Sequence, residues 1–220
     1  MPVTHPGTDV VLAAAEEAWG ALHRLRDRVT GIPRPGSLAA ARITAGCLEE
    51  TMGAFAAVLR AEAVLAGAVA GEARWAFAAA AQDAGNAALH LGQARRHVEE
   101  LAAEGKTPVP ARVARLAREA LNGMSALAAA LSPAGQREPA STPGLTAPGG
   151  HRQLTAALRE SADRACDICS SLSWSDILAA AEAPAARSAA VELRHAAAMM
   201  TSAMQRIQTA DTALAGGTRT

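Results

Sequence analysis

Aromatic residues are almost missing from this chain. Its 220 residues include no tyrosine, two phenylalanines and three tryptophans. That is too few to build the stacking platforms on which bases of single-stranded nucleic acid are gripped. Cysteine is scarce and odd in number, at three. Such a count argues against a disulfide scaffold and fits a reducing cytosol. Net charge is also absent, with 21 basic against 21 acidic residues. This balance argues against a DNA-coating protein and against an acidic tail.

Long apolar runs are missing too. The stretch 54–70 is interrupted by Arg60, Glu62 and Gly67, so no membrane span of about 20 apolar residues is expected. Residues 1–9 hold no basic segment followed by an apolar one, so no secretory signal is expected. GxSxG, Walker, GxGxxG and HExxH motifs are lacking, and with them the usual constellations for nucleophilic, phosphate-cradling and metalloprotease chemistry. No RRM, zinc-finger or OB signature is found.

What is present is alanine, about a quarter of the chain against a usual share below a tenth. Lys106 is the only lysine among the basic residues. Abundant Arg, Ala and Gly are the signature of GC-rich coding, which lowers the weight that any single arginine carries.

Strand-type alternation is absent and helical spacing is strong. Over 9–29, Val11, Ala15, Ala18, Leu22, Leu25 and Val29 fall on one stripe. Gly31, Pro33, Pro35 and Gly36 then stop the helix. Ser37 reads as the cap of a second helix, with Leu48, Met52, Phe55 and Leu59 inward. A third helix over 72–104 carries Phe77, Ala84, Leu91 and Val98. Thr107 and Pro108 open a fourth that runs to Leu131. Residues 132–150 are rich in proline and glycine without apolar period, the composition of a mobile linker. A fifth helix follows over 151–172. Ser173 to Asp176 reads as the cap of a short helix, and Pro184 opens the last one.

The expected fold is therefore all-α, an antiparallel helical bundle of about six helices. Residues 9–131 are expected to form a four-helix bundle, and 151–215 a C-terminal helical hairpin that packs on it. Residues 1–8 are expected to be disordered, and 216–220 to form a free tail.

If the first four helices alternate in direction, their basic residues gather at one pole, with about six excess positive charges there and as many negative ones at the other. Arg24, Arg28, Arg95, Arg96, Arg112, Arg115 and Arg118 are the candidate contacts of that pole with a phosphate or an acidic partner. Trp19, Trp75 and Trp174, off the apolar stripes, are candidate interface anchors.

Cys166 and Cys169 form a CxxC without a second pair to complete a zinc site, so packing is the expected role. Glu192 and His195 have ExxH spacing, used in pairs by di-iron bundles, but no second pair exists. His90 and His97 align on one face with no acid expected to complete them. No catalytic, cofactor-binding or metal-ligating residue is assigned.

The expected function is a non-enzymatic, cytoplasmic interaction or assembly module that pairs with another protein or with itself. Two alternatives are a bundle holding a metal or small ligand between helices, and a nucleoprotein subunit that meets phosphates through the basic pole.

Overall fold

The computed structural model describes residues 6–30, 38–102, 111–131, 148–173 and 183–216. Six helices account for nearly all of them: α1 Pro6–Thr30, α2 Leu38–Gly67, α3 Gly71–Ala102, α4 Ala111–Leu131, α5 Pro148–Ser173 and α6 Pro184–Gly216. Among the described residues there is no strand. No described helix is long and apolar enough to cross a membrane.

The boundaries follow local chemistry. α1, α5 and α6 each begin on a proline, whose fixed φ and missing N–H suit the first helical position. For α5 this moves the start to Pro148, three residues inside the expected linker. Ser173, the expected cap of a short helix, is the last described residue of α5, and its hydroxyl donates to the Ser170 carbonyl at 2.7 Å. Residues 132–147, the remainder of the expected short helix, Trp174, and most of both expected tails lie outside the described residues.

Between α2 and α3 the turn is three residues long. Val69 and Ala70 donate backbone N–H bonds to the Ala66 carbonyl at 3.0 and 2.8 Å, closing α2. This forces an antiparallel hairpin. Cross-helix pairs then orient the rest. Arg24 meets Glu119, and Gly123 lies against Ala18, so α1 and α4 are antiparallel. His90 meets Glu192 while Asp83 meets Arg206, so α3 and α6 are antiparallel. Arg152 pairs with Asp211, and Arg159 bonds Gln208, so α5 and α6 are antiparallel too. Helices α1, α3 and α5 thus run one way, and α2, α4 and α6 the other.

The order of neighbours around the bundle is α1, α4, α2, α3, α6, α5 and back to α1. It is not the order of the chain. α1 packs along α4 and α5 rather than along α2, so α5 and α6 complete the ring rather than lean on a closed four-helix unit. Across the ring, α2 and α5 approach only slightly, where Glu62 meets His151.

One continuous core runs through all six helices. Its largest fully buried side chains include both phenylalanines, Phe55 and Phe77, with Leu22, Leu25, Leu48, Met52, Leu59 and Leu91. Alanine fills most of the remainder, and small residues allow close approach. At Gly123 an added Cβ would stand 2.9 Å from the Ala18 Cα, so α4 crosses α1 there with glycine against backbone. Thr51, Thr155 and Ser161 are buried in the same core. Each satisfies its hydroxyl by donating to the carbonyl four residues earlier.

Candidate functional site

The α3–α6 seam carries a dense polar constellation. The antiparallel crossing sets Asp83, His90 and Gln93 of α3 opposite Arg206, Ser202, His195 and Glu192 of α6. At one level Asp83 accepts from Ser202 Oγ at 2.7 Å and from Arg206 Nε at 2.6 Å, although it is itself buried. About two helical turns along α3, His90 Nδ1 donates to Glu192 Oε2 at 2.7 Å. The Gln93 amide nitrogen, in the orientation that satisfies both ends of the group, donates to Glu192 Oε1 at 3.2 Å and Oε2 at 2.9 Å.

His195 follows Glu192 by three residues on the same helix face. Its ring meets that of His90 edge to face, with centroids 5.1 Å apart. His90 and Glu192 are half-buried, and His195 is exposed. Ligand atoms of His90, Glu192 and His195 all lie within 4.8 Å of one another. Expectation and structure differ here. His90 does have an acid to complete it, and the acid comes from a helix 102 residues away in sequence.

The seven arginines of the expected basic pole fall on the helix ends that share one end of the bundle, but several are already engaged. Arg24 and Arg115 both pair with Glu119, the first at 3.6 Å. Arg95 pairs with Glu49 at 3.2 Å. That pair lies over two glycines: an added Cβ at Gly92 would stand 2.8 Å from Glu49, and one at Gly46 would stand 3.2 Å from Arg95. Glu49 of α2 thus neutralises one arginine of the expected basic pole. α5 brings Asp167 to the same end, 3.4 Å from Arg26. Arg96, Arg112 and Arg118 are exposed, and Arg28 is half-buried. Arg115 and Arg118 line a shallow groove with Ile43, Ala111 and Asn122.

The tryptophans divide. Trp19 is half-buried, stacked on His23 at 5.6 Å, with its indole N–H buried and unpartnered. Trp75 is 72% exposed, with the Arg74 guanidinium 5.7 Å above its ring. Trp174 lies outside the described residues. Cys169 is fully buried, and burial, helped by the neighbouring Cys166, pushes its thiol up to about 12. Cys166 is half-buried with its Sγ 3.4 Å from Thr201 Oγ1. Burial, with Glu50 nearby, also raises the Cys47 thiol.

Sequence reasoning missed the most buried ionisable pair among the described residues. Glu62 of α2 and His151 of α5 have side chains 0% and 2% exposed, with Oε1 and Nδ1 2.6 Å apart. The second carboxylate oxygen, Oε2, is buried without a partner. Burial raises the Glu62 pKa above the usual carboxylate range, and the hydrogen bond and charge of His151 pull against that rise. The signal was spacing: Glu62 falls seven residues after Phe55 on the α2 stripe, and His151 three before Leu154 on that of α5.

No protein-family model matches the chain, and neither the curated proteins nor the solved structures contain a match. The fold and side-chain geometry define an all-α six-helix bundle, and any function must be argued from its surfaces.

Proposed function

We propose that the protein is a non-enzymatic assembly module of the cytoplasm that self-associates along the outer face of α3. The observation that supports this is one uncharged stripe. Trp75, Ala78, Gln82, Asn86 and Leu89 succeed one another by three and four residues on the face of α3 turned away from the core. Trp75 is 72% and Leu89 67% exposed. At 1.5 Å per residue the two anchors stand about 21 Å apart along the helix.

Trp75 and Leu89 are two of the five large apolar side chains exposed among the described residues, and tryptophan is among the residues that concentrate binding energy. A second copy is the occupant that fits best. In a two-fold dimer the same patch meets itself. The five stripe residues carry no charge, so they meet their copies without like-charge repulsion, and the Gln82 and Asn86 amides and the Arg74 guanidinium over Trp75 are the polar groups that the contact must keep hydrogen-bonded. The short Ala78 side chain lets a facing helix come close.

Sedimentation velocity over a concentration series tests this. The wild type is expected to form a discrete dimer or higher oligomer, and Trp75→Ala with Leu89→Ala to shift it to monomer with unchanged circular dichroism. A wild type that stays monomeric throughout contradicts self-association. An oligomer untouched by both substitutions places the interface elsewhere.

A further inference from the structure

Two imidazoles and a carboxylate meet at the α3–α6 seam in the geometry of a metal site. We propose that His90, Glu192 and His195 bind one divalent transition-metal cation of the zinc class, which clips α6 to α3. This goes beyond the assembly reading and does not depend on it.

The donor set selects the ion. Imidazole nitrogen with one carboxylate oxygen suits zinc, cobalt, nickel and ferrous iron, whereas calcium and magnesium take all-oxygen shells. The spacing is close to what such an ion needs. Metal bonds of about 2.0–2.1 Å at tetrahedral angles place ligand atoms about 3.3 Å apart. His90 Nδ1 and Glu192 Oε2 already stand 2.7 Å apart, joined by a proton. A cation takes the place of that proton, the neutral imidazole carrying its hydrogen on Nε2 instead, and the two atoms open slightly around the ion.

His195 supplies the third ligand. It lies one turn beyond Glu192 on the same face. Its ring edge already meets His90, and because it is exposed, a rotamer change brings a nitrogen inward without disturbing the core. Gln93 completes the arrangement from outside. Its amide holds both Glu192 oxygens, as the outer partners of metal ligands hold carboxylates in one orientation. Three protein ligands leave a coordination position for water or for a further ligand.

Cys169 does not compete well for the same ion. Ligation requires a thiolate, and Cys169 is fully buried with its thiol held protonated up to about 12.

Isothermal titration of the chelator-stripped, full-length protein with ZnCl2, and with CoCl2 as the spectroscopic probe, tests the proposal. Uptake of one equivalent is expected in the wild type, with a cobalt spectrum free of thiolate charge transfer and a Tm that rises with metal. Glu192→Gln and His195→Ala are expected to abolish uptake while keeping the helical circular dichroism. Gln93→Ala is expected to weaken it by about 10–100-fold. No uptake of either metal by the wild type overturns the proposal. So does uptake unchanged in Glu192→Gln and His195→Ala, or a cobalt spectrum dominated by thiolate.

Discussion

Replacing His151 with alanine strips the buried Glu62 carboxylate of its one partner. Glu62 Oε1 faces His151 Nδ1 at 2.6 Å, Oε2 has no partner, and neither side chain reaches solvent to any useful degree. Deleting the imidazole leaves the burial intact and removes both influences that hold the Glu62 pKa down. The carboxyl then has two states to choose from. Ionised and unpaired, it costs about 3–5 kcal/mol, the usual loss when one side of a buried ion pair is deleted. Neutral but missing its hydrogen bond, it costs about 1–3 kcal/mol.

The expected loss is therefore smaller at about pH 5, where a raised carboxyl keeps its proton, and larger at about pH 8. The sign in the wild type is the same. With the folded pKa of Glu62 raised above its unfolded value, the native state holds a proton that the unfolded chain has released. Its contribution is full below the ordinary carboxylate range and is lost as pH rises through the raised value. Glu62→Gln should abolish that decline, because an amide does not titrate. Glu62→Leu with His151→Leu should recover most of the His151→Ala loss, since apolar residues often replace a buried pair without penalty. Urea unfolding followed by circular dichroism at both pH values reads all four proteins. A His151→Ala protein within about 1 kcal/mol of wild type at about pH 8 refutes the reasoning, as does a loss larger in acid than in base.

Other consequences concern packing. Gly123→Ala should destabilise by about 1–3 kcal/mol, because its Cβ meets the Ala18 backbone at 2.9 Å. Gly53→Ala, with nothing within 4 Å, should stabilise by up to about 1 kcal/mol. Denaturant midpoints of the two variants should thus move in opposite directions. Phe55→Ala or Phe77→Ala should each cost about 3–5 kcal/mol, since alanine neighbours have little side chain with which to fill the cavity. Cys169 should resist an aromatic disulfide reagent in the native protein at neutral pH and react once the chain is unfolded, as read by mass mapping of the labelled thiols.

Much of the fold was legible in spacing. The expected first stripe, Val11 to Val29, is buried at every one of its positions, and so are Phe77, Ala84, Leu91 and Val98 of α3. Periodicity reports which side of a helix is buried but not which helix covers it. The ring order, with α1 beside α5 and α3 beside α6, therefore could not be read from stripes of alanine that look alike. The metal candidate was half legible. Glu192 and His195 share one helix and a spacing that points to a common face, whereas His90 joins them only through the α3–α6 crossing. Glu62 and His151 were legible in principle as polar residues on apolar stripes. Charge gathered by helix end does not separate Glu62, which faces inward, from the acids that face solvent.

Native mass spectrometry of the full-length protein at low micromolar concentration tests the central claim, self-association along the α3 stripe, most directly. The account predicts a discrete homo-oligomer that falls to monomer when Trp75 and Leu89 are replaced by alanine. A bare monomer in the wild type contradicts it.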